Sequence, residues 1–588
     1  MSRLSSENRL TIGPQAINSL LLFSGVLGFS LGWLHAQWQW SVEVGQVLAG
    51  LVQYPHSNPF YVISVKAWIV SNQIATLLLH TGASERLASY IISGVCGMLA
   101  FQAVAVFIFA LCADFIFALL SPFIIFFIHG TYTHGANYAL GLLGTDNAYT
   151  MSSLSYFILV IGLIRASRAK LGYFLLGFAP AVHPSQGIWL TAVVMISTYL
   201  DRDLFRGFVS RYYRAYLAGF VLTLLSLGIY FLTRHDVSIT AVDLAPYYRA
   251  MILYWSEHVA KFHLFSGAMV RTYLNVTLSV GALVYLRGKY PNNTPFIFIT
   301  FLVTAVLAGI FSSAYWFPLE KVKYYYSILQ MYPGRVFNYN NIGISMLLLG
   351  LLWRYKENFY IGTFLWVFLF MMLLYRGVHM QDSLLPTGVL FLGLMAVGIL
   401  SLWLQFLPIP KIQLSSMASK ILRFFTFFTI AGIVLLIYFN AWNLWDRNRK
   451  EYFLDYTNDT FFAAVHQRPG MILPGTGVGY LDVTTRRAIL YNAGPAYLNY
   501  VPEAGPQMRK IFQKIYGVDL LNPPPDVVRM GRNLPPEIVR SLWIRRTPSE
   551  WQAIKKEFHV TDIITQKDWN LQLPRVAGND KFSLYAIP

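Results

Sequence analysis

The chain has 588 residues, of which 56% are hydrophobic and only 12% are charged. A soluble protein of this length cannot bury that much apolar surface in its core, so the composition excludes an ordinary soluble protein and indicates a membrane protein. The formal net charge of +18 would suit a nucleic-acid-binding protein. Membrane proteins, however, accumulate Lys and Arg in their cytoplasmic loops, and we expect no nucleic-acid partner.

Apolar runs recur in chain order as far as residue 441, and each transmembrane helix needs about 20 mainly apolar residues. The sequence therefore predicts a polytopic α-helical membrane protein with about thirteen transmembrane helices in residues 1–442 and a C-terminal soluble α/β domain in residues 443–588. The predicted spans are 15–35, 87–110, 112–129, 153–165, 171–182, 187–200, 214–232, 269–286, 295–315, 336–353, 358–375, 384–408 and 421–441.

The runs 171–182 and 187–200 are separated by His183-Pro184-Ser185-Gln186. Two interpretations stay open here, because a proline between apolar runs can either connect two short helices in a hairpin or break one helix. The choice decides the topology of everything that follows, since one helix fewer would move the C-terminal domain to the other side of the membrane.

Basic residues favour the hairpin and an odd number of spans. With the N-terminus in the cytoplasm, thirteen spans place the basic loop residues on the cytoplasmic side, as the positive-inside rule requires. These sixteen residues are Arg3, Arg9, Arg165, Arg168, Lys170, Arg202, Arg206, Arg211, Arg214, Arg287, Lys289, Arg354, Lys356, Lys411, Lys420 and Arg423. The C-terminal domain is then expected outside the cytoplasm, in the periplasm or the extracellular space.

The first outer loop, residues 36–86, contains an apolar segment from Phe60 to Leu79 that is interrupted by polar side chains. This pattern favours helices that lie in the membrane interface or re-enter the membrane over a helix that faces lipid. Further outer loops are expected at 130–152, 233–268 and 316–335. Long, structured outer loops suggest that the protein works at this face.

After residue 443, Pro, Gly and polar residues punctuate short apolar runs, as is typical of a globular domain. We predict strands at 471–473, 488–491, 561–565 and 582–587, and helices at 506–516 and 549–558. Gly475-Thr476-Gly477-Val478-Gly479 lacks the spacing of a phosphate-binding loop and a clear following helix, so we interpret it as a turn.

The predicted spans are almost free of ionisable residues apart from Asp114 and Arg271. Transporters usually carry such residues near the membrane midplane, often in two matching halves, and no internal repeat is visible. Ionisable residues lie instead at span ends and in outer loops, which favours a site at the outer membrane surface.

Glu43 is the candidate catalytic residue, because it follows the first span closely, in Trp38-Gln39-Trp40-Ser41-Val42-Glu43. A carboxyl group held against aromatic side chains can have a raised pKa and act as a general base on an acceptor hydroxyl; a solvated loop carboxylate is the alternative. His56 lies nearby in a Pro-flanked turn, although a lone His is more often structural.

Cationic residues of the outer face are candidates for holding a lipid phosphate, since Arg donates to two phosphate oxygens in parallel and Lys supplies a point charge. Arg335 is the most suggestive, because Tyr332-Pro333-Gly334-Arg335 enters a span that is rich in Asn. The alternative is a topological anchor that extends to the headgroups. The other cationic candidates are Lys66, Arg249, Lys321, Lys323 and Arg376.

Asp146 and His183 also fall on the outer side of the predicted topology. Asp146, in Gly144-Thr145-Asp146-Asn147, could bind a sugar hydroxyl or a cation, but one carboxylate is a weak metal signal, and we assign no metal ligands. The predicted substrate-binding residues are thus His56, Lys66, Asp146, His183, Arg249, Arg335 and Arg376.

This layout resembles the polytopic glycosyltransferases of the C superfamily (GT-C), which use polyprenyl-phosphate sugars. The resemblance rests on loop 36–86, on Glu43 and on segment 443–588, and it covers most of the chain by architecture more than by motif. Val42-Glu43-Val44 offers only one carboxylate where that family has an early acidic pair. The resemblance implies that Glu43 acts on the acceptor and that a cation such as Arg335 holds the donor phosphate. It implies no nucleotide, and in some members a divalent metal assists.

Our leading hypothesis is a bacterial inner-membrane, glycosyltransferase-like protein that moves a sugar from a lipid-phosphate carrier to a glycan, lipid or protein outside the cytoplasm. Its partners would be the lipid-linked donor, the glycan or lipid acceptor and membrane lipids. The alternatives are a transporter or a non-catalytic component of cell-surface polysaccharide assembly, including an inactive member of the same fold.

Overall fold

The computed structural model of the chain describes residues 14–129, 133–134, 139–146, 148–233, 245–254, 273, 277, 281, 295–313, 331–354, 356, 359–378, 396, 416–491, 501–525, 527 and 534–588. The described part is mostly helical, with a small sheet near the C-terminus.

Up to residue 451 the described structure is almost entirely helical. Its helices are α1 Pro14–Leu34, α2 Trp40–Leu48, α3 Pro59–Lys66, α4 Val70–His80, α5 Glu85–Cys112, α6 Phe115–His129, α7 Ala148–Arg165, α8 Ala169–Val182, α9 Pro184–Leu200, α10 Arg202–Gly207, α11 Tyr213–Thr233, α12 Ala245–Tyr254, α13 Pro295–Ser313, α14 Phe337–Arg354, α15 Phe359–Val378 and α16 Ser416–Glu451. A π-helical turn (Phe208–Tyr212) joins α10 to α11, a 3-10 turn (Pro333–Val336) precedes α14, and strands β1 (Thr133–His134) and β2 (Ala139–Leu140) pair antiparallel.

Five of the described helical segments are long and apolar enough to cross a membrane. They are Gln15–Leu34, Glu85–Cys112, Arg202–Thr233, Pro333–Arg354 and Lys420–Glu451, and the number is six if the bent pair α3 and α4 forms one span. Five other predicted spans coincide with shorter apolar helices, and 187–200 coincides with α9. The predicted spans 269–286 and 384–408 lie almost wholly outside the described residues. The prediction of a membrane protein built from apolar helices agrees with this result, and the count of thirteen stays a prediction.

Large apolar side chains remain exposed along α11 and α16, including Leu224 and Leu225 on α11 and Phe428 and Leu435 on α16. Water-soluble proteins rarely leave such continuous apolar faces uncovered, and lipid covers them in a membrane protein.

Helices α8 and α9 form the hairpin that one of the two interpretations predicted. The Tyr173 hydroxyl on α8 and the Thr198 Oγ1 on α9 are 2.7 Å apart, although the two residues lie on opposite sides of His183. Gly187 supports the fold-back, because a Cβ there would meet the Ala179 carbonyl oxygen at 2.3 Å. The chain therefore reverses direction at His183, and one broken helix is excluded.

Small residues let α1 and α5 pack closely. A Cβ on Gly28 would lie 2.3 Å from the Gly97 carbonyl oxygen, and a Cβ on Gly97 would lie 2.2 Å from the Gly28 carbonyl oxygen. Gly28 and Gly32 form a G-x-x-x-G pattern on α1. Such patterns drive close helix packing inside membranes, where little hydrophobic force acts between helices.

The first outer loop contains three short helices, α2 to α4. Helix α3 begins at Pro59, where the Asn58 side chain accepts backbone hydrogen bonds from Phe60 and Tyr61. Helices α3 and α4 meet at an angle of 105°. Polar residues thus interrupt the apolar segment as the sequence predicted, and the segment is not one straight span.

The C-terminal region, residues 452–588, contains a four-stranded sheet in the order β3-β4-β6-β5. β3 and β4 are parallel and the other pairs are antiparallel. Its elements are α17 Thr460–His466, β3 Met471–Pro474, α18 Leu481–Thr485, a 3-10 turn Pro502–Ala504, α19 Gly505–Ile511, a π-helical turn Phe512–Tyr516, α20 Pro536–Arg545, α21 Pro548–Phe558, β4 Val560–Gln566, β5 Arg575–Gly578 and β6 Phe582–Ala586.

Most predicted elements of this region are present, but the predicted strand at 488–491 is wrong. It is reduced to a single parallel bridge between Ile472 and Ile489. The short helix α18, which follows the Gly-rich turn directly, was not expected.

The hydrophobic core of the C-terminal region includes side chains from the first outer loop. Trp40 and Val44 of α2 and Phe60 and Ile63 of α3 are buried in the same cluster as the sheet residue Ile564. The first loop and the C-terminal region therefore share one core, and this packing brings Glu43 to its partners.

Candidate functional site

Helix α2 carries Glu43 and is fixed at its first turn. The Trp40 backbone N–H donates to the Asp146 carbonyl oxygen at 3.0 Å. The amide of Gln39, the residue before the helix, donates to the Thr145 carbonyl oxygen at 2.7 Å and to Ser93 Oγ at 3.1 Å. The loop around Asp146 and helix α5 thus set the position of α2.

Glu43 is 4% exposed, and it interacts electrostatically with Asp482, which is 0% exposed. The two carboxyl groups lie close enough for a side-chain hydrogen bond. An ionised carboxylate can only accept, so one member of the pair must carry a proton for this bond to form. We call these two residues the carboxyl pair.

Burial, followed by the charge of Asp482 and the bond to it, raises the pKa of Glu43 well above its ordinary value. Burial also raises the pKa of Asp482, to about 6, against the hydrogen bonds that favour its ionised form. These come from Glu43, from the Tyr54 hydroxyl at 3.1 Å and from the Val483 backbone N–H at 3.0 Å. The pair titrates as a unit, and it holds its protons to a higher pH than isolated carboxyl groups do.

Tyr54 connects the carboxyl pair to the edge of the sheet. Its hydroxyl donates to Asp482 and accepts from the Ile489 backbone N–H at 3.3 Å. Burial and the neighbouring Asp482 charge raise the pKa of Tyr54 well above its usual value, so this phenol stays protonated and donates to Asp482 as a neutral hydroxyl.

Asp482 sits on α18, a helix flanked by two residues in the left-handed region, Tyr480 with φ 55° and Arg486 with φ 50°. This conformation is strained for residues with a side chain and persists only where the surroundings hold it. The Tyr480 hydroxyl donates to Asp146 Oδ2 at 3.0 Å. The Arg486 guanidinium donates to both carboxylate oxygens of Glu85, at 2.5 and 3.1 Å. Both strained residues therefore clamp α18 against the helical part of the molecule.

Asp146 lies close enough for its charge to raise the pKa of Glu43 further. The structure thus brings together two predicted site residues, Glu43 and Asp146, and adds Asp482, which the sequence did not single out.

His183 and Arg335 form a second grouping. Both side chains are buried, and they lie close enough to interact electrostatically. The His183 ring caps α9 by accepting from the Gln186 backbone N–H at 3.4 Å. The Arg335 guanidinium lies over the Tyr332 ring, 4.1 Å from its centroid. Several buried amides follow it on α14, as the sequence indicated: Asn338, Asn340 and Asn341.

The other predicted substrate-binding residues are placed differently. His56 is exposed and stacks on Tyr61, with ring centroids 5.0 Å apart. Lys66 forms an ion pair with Glu503 of the C-terminal region at 2.9 Å, which gives it a structural partner. Arg249 lies on α12 and Arg376 on α15, and the side chains of both fall outside the described residues, as do Lys321 and Lys323.

Among the residues that the structure describes, no group of three or more His, Cys, Asp or Glu side chains is arranged to hold a metal ion.

Asp482 and Tyr54 are the residues that sequence reasoning missed. One signal was available for Asp482: it follows the buried strand β3 and the Gly-rich turn after it, and functional residues often lie beyond the carboxyl ends of strands. No local signal marks Tyr54, because only the shared core brings it to Asp482.

No protein-family model matches the sequence, and no curated protein matches it significantly.

Proposed function

We propose that the chain is a membrane glycosyltransferase that moves a sugar from a lipid-phosphate carrier to a glycan, lipid or protein acceptor outside the cytoplasm. The observation that supports this proposal best is the carboxyl pair, in which the buried side chains of Glu43 and Asp482 lie together beside Asp146. Asp482, whose pKa burial raises to about 6, is suited to accept a proton from a hydroxyl group at neutral pH.

In the proposed reaction the acceptor hydroxyl gives its proton to the carboxyl pair, with Asp482 as the ionised member. The acceptor oxygen bonds to the anomeric carbon of the sugar while the bond between that carbon and the phosphate oxygen breaks. The lipid phosphate leaves with the bonding electrons. This modifies the expectation for Glu43, because the proposed general base is the pair and not Glu43 alone.

The departing phosphate needs cationic partners, since negative charge grows on its oxygens as the bond breaks. Arg335 with His183 is the described grouping best suited to this role, because a buried guanidinium interacts strongly with phosphate. Tyr332 supports the guanidinium from one face.

The proposal includes the finer topology: about thirteen spans, a cytoplasmic N-terminus and a C-terminal region outside the inner membrane of a bacterium. The α8–α9 hairpin supports it, because this reversal keeps Arg165 and Asp201 at the same end of the helices, close enough to interact. The basic turns before α8 and after α9 then lie on one side.

The proposal is tested with purified protein, a radiolabelled polyprenyl-phosphate sugar and an acceptor lipid. We expect Asp482→Asn to lower the transfer rate about 100-fold or more, since a positioned base contributes about that much, and Glu43→Gln to lower it less, since it leaves Asp482 able to accept the proton. Asp580→Asn is the matched control, because Asp580 is an exposed carboxylate of the same region, and it should transfer at the normal rate. Full transfer by the Asp482→Asn protein would remove the carboxyl pair from the mechanism.

The burial of the carboxyl pair favours a second candidate function. Glu43 and Asp482 are 4% and 0% exposed, so the pair can equally hold the first outer loop against the C-terminal region. The chain would then be a non-catalytic component of cell-surface polysaccharide assembly. Absence of lipid-dependent transfer by the unmodified protein, together with weakened folding in Asp482→Asn, would support this function over the first.

A further inference from the structure

A cavity of about 510 Å³ lies at the end of the helices where α7 turns into α8 and where α11 begins. It is far in sequence from the carboxyl pair. Its lining combines Arg168 and Lys170 from the turn and the start of α8 with Arg214 near the start of α11. Phe174 and Ala218 lie in the same lining, one on each of the two helices.

The cationic part of this cavity has no acidic lining. None of its described lining residues is Asp or Glu. Two of the guanidinium groups donate to neutral oxygens: Arg168 to the Asn18 side chain, and Arg214 to the Tyr213 hydroxyl at 3.1 Å. Three cations beside an open cavity favour a ligand with at least one negative charge, and phosphate oxygens accept well from Arg and Lys.

The apolar part continues along the helices. Helices α8 and α11 pack closely behind the cavity, since a Cβ on Gly177 would meet the Tyr216 carbonyl oxygen at 2.1 Å. Exposed apolar side chains such as Leu217 and Val221 extend the surface along α11. A soluble anion would use only the cations, whereas a lipid would use both the cations and this apolar surface.

We propose that this cavity binds the phosphate group of an anionic membrane lipid, with an acyl chain lying along Phe174 and Ala218. The cations lie at the ends of apolar helices, where headgroups meet the hydrocarbon layer, and basic pockets between membrane helices are suited to anionic headgroups. The proposal does not depend on the proposed glycosyl transfer.

The test measures binding of dioctanoyl-phosphatidylglycerol to the purified full-length protein by native mass spectrometry and calorimetry, with dioctanoyl-phosphatidylcholine and inorganic phosphate as comparison ligands. We expect the anionic lipid to bind more tightly than both. Reversing two charges, in Lys170→Glu with Arg214→Glu, should weaken its binding at least about tenfold, because each cation near an anionic headgroup contributes appreciably.

The matched control is Arg202→Glu with Arg206→Glu, which makes the same charge change on exposed residues of the neighbouring helix α10 outside the cavity lining. It should change binding less than about threefold. Ala218→Trp fills the apolar part without changing any charge and should weaken binding of the lipid but not of inorganic phosphate. Equal weakening in the two charge variants, or phosphate binding as tight as lipid binding, would overturn the proposal.

Discussion

Two buried carboxyl groups in contact are stable only while they share a proton. Transferring a charged carboxylate out of water is costly, and a second negative charge beside it adds repulsion. The Glu43–Asp482 pair lowers this cost in two ways: it retains a proton, and the hydroxyl of Tyr54 and the backbone N–H of Val483 donate to Asp482. The stability of the fold should therefore depend on pH through these residues.

The first prediction follows from the direction in which the pKa values of Glu43 and Asp482 are shifted. Both carboxyl groups have raised pKa values in the folded protein, so the folded state holds their protons more tightly than the unfolded state. Their stabilising contribution is present below pH 4 and is lost as the pH rises through about 6, the pKa of Asp482. Because Asp482→Asn cannot ionise, its melting temperature relative to the unmodified protein should rise between pH 5 and pH 7.5.

The change is measured by thermal unfolding in detergent across this pH range. It should correspond to about 1.4 kcal/mol, the value of one pKa unit, because only the unit between pH 5 and the Asp482 pKa of about 6 falls in this range. Asp519→Asn is the control, because Arg509 lowers the pKa of Asp519, whose contribution is lost only at lower pH. The melting temperature of Asp519→Asn should differ from that of the unmodified protein by a constant amount between pH 5 and pH 7.5. A constant offset for Asp482→Asn as well would contradict the prediction.

The sequence could indicate half of this pair and not the other half. Glu43 was predictable because its signal is local: an acidic residue among aromatic ones just after an apolar span. Asp482 becomes its partner only through tertiary packing of α2 against α18, and residues so far apart in the chain carry no joint pattern. The same reason explains why the raised pKa of Glu43 was expected but its main charged neighbour was not.

At the scale of elements, α18 shows how a short helix can be held without local stability. Five residues cannot form a stable isolated helix, because the first turn is unfavourable to nucleate. Its strained neighbours Tyr480 and Arg486 are held by contacts outside the C-terminal region, with Asp146 and Glu85. We therefore expect the position of Asp482 to depend on these clamps.

The second prediction concerns Arg486→Ala, which leaves the Glu85 carboxylate buried without its two-bond partner. The Glu85 side chain is 4% exposed and that of Arg486 is 29% exposed, so the pair is only partly screened by water. We expect a loss of about 2 kcal/mol, less than for a fully buried pair, and faster trypsin cleavage of the C-terminal region. Both effects are measured on the purified protein in detergent.

Arg540→Ala is the matched control for this change. Arg540 also pairs with an aspartate of the C-terminal region, Asp568, but the side chains are 44% and 62% exposed. Such surface pairs contribute between about 0 and 1 kcal/mol. Equal destabilisation by the two substitutions would show that Arg486 is an ordinary surface residue and not a clamp. Partial recovery in the exchanged pair Glu85→Arg with Arg486→Glu would support the clamp.

The long apolar helices were predictable because their signal is contained within each segment. A sufficiently long run of consecutive apolar residues by itself predicts a helix that crosses a membrane. The apolar pattern alone could not choose between a hairpin and a broken helix at His183, which depends on contacts such as that between Tyr173 and Thr198; only the distribution of basic residues favoured the hairpin. Strand β5 was also missed, because its residues are mostly exposed and lack an apolar pattern.

At the scale of the whole molecule, three ion pairs and a shared core fix the C-terminal region to the first outer loop and α5. The ion pairs are Lys66–Glu503, Arg86–Asp455 and Arg486–Glu85. The Trp38 indole N–H adds a bond to the Tyr452 carbonyl oxygen at 3.1 Å. The loop after α1 and the C-terminal region must therefore lie on the same side of the membrane.

The third prediction concerns the side of the membrane on which the C-terminal region lies. The basic turns around α8 and α9 are expected in the cytoplasm by the positive-inside rule, and the C-terminal region is expected opposite to them. In a background with Cys96→Ala and Cys112→Ala, which removes both native cysteines, single cysteines are introduced as Asp580→Cys and Arg206→Cys, at two exposed positions. A membrane-impermeant maleimide added to intact bacterial spheroplasts should label the Asp580→Cys protein at once and the Arg206→Cys protein only after permeabilisation.

The result shows whether the chain crosses the membrane an odd or an even number of times between residues 206 and 580. It does not depend on the exact number of spans. Labelling of both cysteines in intact cells would place α10 and the C-terminal region on one side and would contradict the charge argument. Labelling of Arg206→Cys alone would invert the topology. In that inverted topology the carboxyl pair would lie inside the cytoplasm and could not act on a lipid-linked sugar presented outside, so the proposed glycosyl transfer would lose its geometry.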